Sequence, residues 1–180
     1  MYYLDRGQGL GLIIPPKTAS NSLLAALRHS RLGYAIAGGA RQRGEAEASG
    51  CAFYASIRHP LARIIEFNRT PMRVAAGRAE DYPVFAQRVI AGDYDANPHV
   101  MLQSGMLIGE PVYIIRFEHL HADYSALCAL VDGHGELPHR NPGDGIPWEE
   151  KYLALPVDLQ NALAEKVMPD LERFGYVRPV

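Results

Sequence analysis

A lysine and two serines lie between an apolar run and a predicted helix near the start of the chain. The run Gly11–Ile14 ends in two β-branched residues and suits a buried strand, and Pro15–Pro16 end it because proline donates no backbone hydrogen bond. Lys17 follows, and Ser20–Ser22 occupy the positions of a helix N-cap. Backbone N–H groups and the lysine ammonium converge in such a turn, which predicts an anion site. The alternative is an ordinary strand-to-helix connection with a surface lysine.

Arginine is concentrated in one stretch of the chain. The net charge is nevertheless -2, which argues against a general nucleic-acid binder, because such proteins carry a large positive excess. The concentration therefore favours a local anionic ligand, although a solvated helix face explains some of these residues equally well. The residues concerned are Arg41, Arg43, Arg58, Arg63, Arg69, Arg73 and Arg78.

Length and composition favour a single domain spanning residues 1–180. The hydrophobic share of 48% and the charged share of 21% are typical of globular proteins. No apolar run approaches the roughly 20 residues that span a bilayer, and the first residues lack the basic-then-apolar order of a secretory signal. Cys51 and Cys128 lie too far apart for a metal knuckle. We therefore expect a cytoplasmic protein with neither a membrane nor a nucleic-acid partner.

The chemistry-bearing residues must be positioned by strands that alternate with helices. Short runs rich in β-branched and aromatic residues predict strands at Gly11–Ile14, Cys51–Arg58 and Val112–Phe117, with Gly33–Gly39 as a further candidate. Apolar spacing and terminal residues predict helices at Pro60–Phe67, Asp81–Ile90, Asp123–Val131 and Pro156–Phe174. The intervening segments 40–50, 71–79 and 97–104 are each compatible with a short helix or with irregular structure, and 138–147 is a loop rich in turn formers.

This alternation predicts an α/β fold with a mostly parallel central sheet covered by helices on both faces. Ligands of such sheets bind outside the carboxyl ends of the strands. Three candidate groups follow predicted strands directly: Lys17–Ser22, Arg58–Arg63 and Glu118. The sequence therefore predicts that these groups meet at one edge of the sheet.

Five segments, in chain order, also carry recognisable motifs. They are Pro-Lys-Thr-Ala-Ser-Asn-Ser-Leu at 16–23, Ser-Ile-Arg-His-Pro-Leu-Ala-Arg at 56–63, Asn-Pro-His with Gln103 at 97–103, Phe-Glu-His-Leu at 117–120 and Asp-Leu-Glu-Arg-Phe-Gly-Tyr at 170–176. Together they resemble the signature segments of sulfotransferases that use 3′-phosphoadenosine 5′-phosphosulfate (PAPS), in particular the carbohydrate-acting branch. The matches follow the family's order across most of the chain.

The resemblance implies a P-loop-like, three-layer fold and a PAPS donor that leaves as 3′-phosphoadenosine 5′-phosphate (PAP). The loop residues Thr18, Ala19, Ser20, Asn21 and Ser22 would grip the 5′-phosphosulfate together with Lys17, and Arg58 would pair with the 3′-phosphate. Lys17 would also neutralise charge on the bridging oxygen as the sulfuryl group departs.

Sulfuryl transfer further needs a base for the proton of the acceptor hydroxyl, and His99 is the first candidate and Glu118 the second. The acceptor would be a hydroxyl-bearing small molecule or a glycan, bound by residues from 69–98 and 134–150. No metal is expected, because no pair among His119, His121, His134 and His139 shows a zinc spacing with a third ligand.

Three positions depart from the family pattern. Ala19 stands where the family has glycine, which strains the loop if its φ is positive, and Asn21 replaces a threonine. Glu66 stands where the resemblance implies a serine that binds the 3′-phosphate, and its carboxylate repels a phosphate unless Arg63 or Arg69 neutralises it or it points away. The resemblance therefore assigns Glu66 to the donor site, where its negative charge requires a neutralising partner or an orientation away from the phosphate.

Two other functions compete with a sulfotransferase. A P-loop kinase or NTPase is disfavoured because no Gly-x-x-x-x-Gly-Lys-Ser/Thr motif is present: Pro15–Pro16 precede Lys17. A catalytically inactive, sulfotransferase-like binding or structural protein is the other alternative, and Glu66 is the residue that favours it.

Overall fold

The computed structural model describes residues 1–133, 136–138 and 145–179, with only the backbone of Tyr34 and Pro71. Contacts between Cα atoms divide the chain into two compact units. Unit 1 comprises Met1–Arg58 and Met106–Arg140, and unit 2 comprises His59–Gly105 and Asn141–Val180. A single domain over residues 1–180 stays a prediction.

The strands and helices of the described residues alternate along the chain, as an α/β fold requires. The strands are β1 Tyr2–Asp5, β2 Leu10–Ile13, β3 Ala52–Ile57 and β4 Tyr113–Arg116. The helices are α1 Ser20–Ala26, α2 Gly33–Ala37, α3 Arg43–Glu47, α4 Pro60–Asn68, α5 Pro71–Ala75, α6 Tyr82–Ala91, α7 Leu120–Leu130, α8 Trp148–Leu153, α9 Val157–Lys166 and α10 Met168–Phe174. Short 3-10 turns cover Leu27–His29, Ser104–Met106 and Phe117–His119. Among the described residues, none of these helices has the length and apolarity to cross a bilayer.

The four strands form one sheet in unit 1, in the order β1-β2-β3-β4. β1 pairs antiparallel with β2, while β2, β3 and β4 are parallel. In register, Leu12 lies opposite Tyr54, and Tyr54 lies opposite Tyr113. The α/β class and the mostly parallel sheet are therefore confirmed.

One face of this sheet forms the core of unit 1. Leu12, Tyr54 and Ile115 point to the same face, because they are opposite each other or two residues apart. Buried apolar side chains in and beside the helices belong to the same core cluster, among them Leu23, Leu27, Leu32, Leu127 and Val131. This packing holds the loops that follow the strands on a rigid base.

The predicted strand at Gly33–Gly39 is wrong, because Gly33–Ala37 forms α2. Leu32, Ala35 and Ile36 are buried in the core, and their i, i+3, i+4 spacing puts them on one face of a helix. Gly33 also approaches the preceding turn closely: a Cβ there would lie 2.3 Å from the carbonyl oxygen of Arg28. The glycine therefore permits a close helical turn.

Unit 2 is helical and has its own core. α4 begins with Pro60 as predicted, and Leu61 and Ile64 pack in a cluster with Phe85, Tyr152 and Leu163. The predicted helix Pro156–Phe174 is interrupted between α9 and α10.

The interruption follows from the local sequence. Val167 has φ −103° and ψ 8°, outside the helical region, and Pro169 follows in the first turn of α10. A proline in the first turn needs no backbone donor, so it starts a helix more readily than it continues one. For the stretch Asn97–Ser104 the sequence left a short helix or a turn open, and the structure shows turns, in which the amides of Val100 and Met101 donate to the carbonyl of Asn97.

Candidate functional site

The loop between β2 and α1 has an unusual backbone. Lys17 has φ 70° and Ala19 has φ 62°, which is the left-handed region, whereas Thr18 between them is not among the residues with positive φ. Non-glycine residues adopt this region at a cost, so such strain marks a candidate functional site. Alternation of the sign of φ turns successive backbone N–H groups towards one concavity, which binds anions. Because the φ of Ala19 is positive, alanine strains this loop at a position where glycine would not.

The hydroxyl of Thr18 holds this loop together. Thr18 Oγ1 donates to the carbonyl of Pro15 at 2.7 Å and is 2.6 Å from Ser56 Oγ. Thr18 and Ser56 are both 1% exposed. The Thr18 side chain therefore bonds within the protein and ties the loop after β2 to strand β3.

Sequence reasoning missed Ser56 as a partner of this loop. The feature of the sequence that could have identified Ser56 is its hydroxyl, which lies near the end of the otherwise apolar strand β3, two residues before Arg58. Strand β3 lies beside β2, and therefore Ser56 is in reach of the loop that follows β2.

Arg58 and Lys17, both predicted site residues, are brought together. Arg58 Nη1 donates to the carbonyl oxygen of Lys17 at 3.4 Å. The guanidinium carbon of Arg58 also lies 4.1 Å from the ring centre of Phe117, a cation–π distance. Phe117, directly after β4, is a second residue whose contact with Arg58 the sequence did not reveal. The guanidinium of Arg58 thus lies against the strained loop that carries Lys17.

The first turn of α1 differs from its predicted form. The N-cap is Ala19, whose side chain cannot accept a hydrogen bond, so the predicted capping by Ser20, Asn21 and Ser22 is wrong. The helix begins at Ser20 itself, which places these three residues inside it. Ser22 is buried, Ser20 is partly exposed and Asn21 is exposed.

Glu118 lies in the 3-10 turn Phe117–His119, directly after β4, and is exposed. The loop of Lys17 follows β2 and Arg58 follows β3, and these three strands are parallel neighbours. The carboxyl ends of parallel neighbours share one edge of a sheet. Unit 1 therefore brings Lys17, Arg58 and Glu118 to the same edge, as the sequence predicted.

In unit 2, Glu66 forms an ion pair with a residue that the sequence did not suggest. Lys151 Nζ donates to Glu66 Oε1 at 2.8 Å, and the two side chains are 4% and 15% exposed. The expected neutralisers have other contacts: Arg63 donates to backbone carbonyls, and Arg69 lies over the ring of Tyr82. The carboxylate of Glu66 is therefore matched by Lys151 in α8, which is 85 residues away in sequence.

His99, also in unit 2, has a defined ring environment. Its backbone N–H and its Nδ1 lie 3.0 and 3.1 Å from Asn97 Oδ1, and its ring stacks on Phe67 with centroids 4.6 Å apart. Because an amide oxygen only accepts, Nδ1 carries the proton in this hydrogen bond, which assigns the lone pair to Nε2. That tautomer is the one in which Nε2 accepts a proton.

A cavity of about 590 Å³ lies within unit 2. Its lining comes partly from the stretches predicted to bind an acceptor, including Arg69, Asp81, Tyr82 and Ile146. Glu150 and Lys151 add one acidic and one basic side chain. The cavity therefore combines apolar surface with both signs of charge.

Among the described residues, no three His, Cys, Asp or Glu side chains are grouped to hold a metal ion. His134 and His139, two of the histidines considered for a metal site, lie outside the described residues, as does most of the turn-rich loop after Pro138. In unit 1, the loop with two left-handed residues carries Lys17 and accepts a hydrogen bond from Arg58. The chain matches no protein-family model, no curated protein and no solved structure.

Proposed function

We propose that this protein is a sulfotransferase that moves a sulfuryl group from PAPS to a hydroxyl of a small molecule or glycan. The observation that carries the proposal is the hydrogen bond from Arg58 to the Lys17 carbonyl, which brings a guanidinium to the strained loop that contains a second cationic residue. Two cationic positions suit a donor that carries phosphate groups at its 3′ and 5′ positions. In this proposal the sheet of unit 1 is the centre of a P-loop-like, three-layer fold.

The backbone N–H groups of the loop and the Lys17 ammonium bind the 5′-phosphosulfate. As the acceptor oxygen bonds to sulfur, the bond from sulfur to the bridging phosphate oxygen breaks, and negative charge accumulates on that oxygen. Lys17 stabilises this charge, and the products are the sulfated acceptor and PAP. Arg58 binds the 3′-phosphate, since its planar fork suits two phosphate oxygens better than an ammonium does.

The acceptor hydroxyl must also lose its proton, and two side chains have the required chemistry. His99 presents Nε2 as a proton acceptor when Asn97 holds Nδ1–H. Glu118 is a carboxylate at the same sheet edge as Lys17 and Arg58. His99 remains the first candidate because a neutral imidazole is the better base near neutral pH.

Calorimetric titration with PAP tests the donor site. We expect a saturable binding heat that is lost in Lys17→Met and retained in Arg28→Ala, a substitution of an exposed arginine on the same unit. An absence of heat at millimolar PAP would contradict the proposal. Thermal shifts with PAP and with ATP separate the donor classes, and a larger shift with ATP would favour a kinase or NTPase.

Glu66 supports a second candidate function, an inactive sulfotransferase-like binding protein. Its carboxylate stands where the resemblance implies a serine, and it is paired with Lys151. PAP titration of the wild type and of Glu66→Ser distinguishes the two functions. If only the variant binds PAP, the natural protein is the inactive form; if both bind, the Glu66–Lys151 pair is compatible with the donor.

A further inference from the structure

Two buried side chains of opposite charge bind the backbone of the segment that carries His99. Residues Asn97–Gln103 of the segment Asn97–Ser104 belong to no helix or strand, and Ser104 begins a 3-10 turn, so the polar backbone groups of the segment need other partners. Arg63 Nη1 donates to the carbonyl of Pro98 at 2.9 Å, and Arg63 Nη2 donates to the carbonyl of Met101. The cation therefore binds two carbonyls on either side of His99.

Asp170 binds the other end of the same segment. Its two carboxylate oxygens accept the backbone N–H groups of Gln103 at 2.6 Å and of Ser104 at 2.8 Å. Asp170 belongs to α10 and Arg63 to α4, so two helices far apart in sequence hold one irregular stretch. Four backbone groups of the segment are bound by two side chains.

Both charges are removed from water, since Arg63 and Asp170 are each 1% exposed. Burial lowers the pKa of Arg63 to about 10, and the negative charge of Asp170 opposes that lowering. A buried charge is tolerated when hydrogen bonds and an opposite charge compensate it. The segment supplies those hydrogen bonds, and a shift of the segment would leave both buried charges without them.

The geometry points to Arg63 and Asp170 as positioning residues that set the orientation and the tautomer of the His99 ring. They hold the backbone around His99 where its Nδ1–H meets Asn97 Oδ1 and its ring meets Phe67. Nε2 is then the basic nitrogen. This inference rests on the proposed function in one respect only: under that function, Nε2 of His99 removes the proton of the acceptor hydroxyl.

Nuclear magnetic resonance of protein labelled with ¹⁵N in its histidine rings reads the tautomer directly, with His99→Gln to assign the signals. In the wild type we expect a protonated Nδ1 and an unprotonated Nε2. Arg63→Lys keeps the charge, but a single ammonium nitrogen replaces the planar fork that spans both carbonyls. We expect this variant to give signals averaged between the two tautomers.

Amide hydrogen exchange in Asp170→Asn gives a second measurement. Loss of a charge-assisted hydrogen bond at Gln103 and Ser104 is expected to speed exchange about 10-fold or more. Gln160→Leu is the matched control, because Gln160 is also buried in unit 2 but donates to the carbonyls of Leu153 and Leu155. The control is expected to leave the His99 tautomer and these two exchange rates unchanged.

Folded Arg63→Lys and Asp170→Asn variants with wild-type tautomer and exchange would overturn the inference. If neither variant folds, the His99 tautomer and the exchange rates of the wild-type protein test the inference. A proton on Nε2 of His99, or exchange of Gln103 and Ser104 as fast as at exposed amides, would overturn it. Failure of PAP binding would instead overturn the proposed function and leave the tautomer result standing.

Discussion

The guanidinium of Arg58 donates to the backbone carbonyl of Lys17, and this contact connects the end of β3 to the loop after β2. If Arg58 binds the 3′-phosphate, its loss should weaken PAP binding without unfolding the sheet. We expect about 10-fold weaker binding for Arg58→Lys and about 100-fold for Arg58→Ala. Calorimetry measures both, with Arg28→Ala as control. Unchanged affinity in Arg58→Ala would show that Arg58 is structural only.

Ala19 provides a test of the strained loop. Its φ of 62° costs alanine more than glycine, so Ala19→Gly should raise the free energy of unfolding by about 1 kcal/mol. Ala126→Gly is the control, because Ala126 is exposed within α7 and glycine there should lower stability by about 1 kcal/mol. Urea unfolding measures both. Destabilisation by Ala19→Gly would contradict the left-handed conformation.

Because the hydroxyls of Thr18 and Ser56 are in contact, substitutions of the two residues should have coupled effects on stability. Thr18→Val leaves the carbonyl of Pro15 and the hydroxyl of Ser56 without their partner, and should destabilise the protein by about 1–3 kcal/mol. A double-mutant cycle with Ser56→Ala should show a coupling of about 1 kcal/mol. Additive effects within error would mean that the two hydroxyls do not bond.

The Glu66–Lys151 ion pair makes a prediction about stability that is separate from donor binding. Glu66→Ala leaves the buried ammonium of Lys151 without its carboxylate and should cost about 3 kcal/mol. The double variant with Lys151→Met should lose less than the two single variants together. As a control, Glu47→Ala removes an exposed partner of Arg43 and should change stability little. An equally small effect at Glu66 would mean that the pair is not formed.

Burial of the Tyr152 hydroxyl predicts that the protein loses stability at alkaline pH. Its side chain is fully buried and donates to the carbonyl of Gln160 at 2.8 Å, and burial raises its pKa above the ordinary value of 10.0. As the pH rises, the unfolded chain therefore releases the Tyr152 proton before the folded protein does. The contribution of the neutral Tyr152 hydroxyl to the free energy of unfolding is present below a pH of about 10 and is lost as the pH rises through the pKa of the folded state.

Urea unfolding of the wild type and of Tyr152→Phe at increasing pH checks this prediction. The variant should be less stable at neutral pH, because the hydrogen bond to Gln160 is lost, and its stability should fall less steeply above pH of about 10. Arg63, whose pKa burial lowers to about 10, contributes with the opposite sign, but equally in both proteins. Parallel pH curves would contradict the prediction for Tyr152.

Local sequence patterns sufficed for most of the elements. The strands at Leu10–Ile13 and Ala52–Ile57, the proline that starts α4 and the glycine that ends α6 follow from side-chain type, restricted backbone angles and spacing. At Gly33–Gly39, where a short strand was predicted, Leu32, Ala35 and Ile36 are instead buried on one face of a helix. The interruption between α9 and α10, by contrast, follows from the local sequence, because Pro169 in the first turn starts a helix more readily than it continues one.

The sequence by itself indicated that Lys17, Arg58 and Glu118 each follow a strand of a mostly parallel sheet, because side-chain type and spacing are local properties, whereas the tertiary structure decided that these strands are neighbours. Only the tertiary structure decided the partners: Lys151 for Glu66, Ser56 for Thr18, and Arg63 with Asp170 for the segment around His99. Hydrogen bonds and ion pairs depend on distances of a few ångströms between residues far apart in sequence. No pattern along the chain encodes those distances, which arise when the core packs.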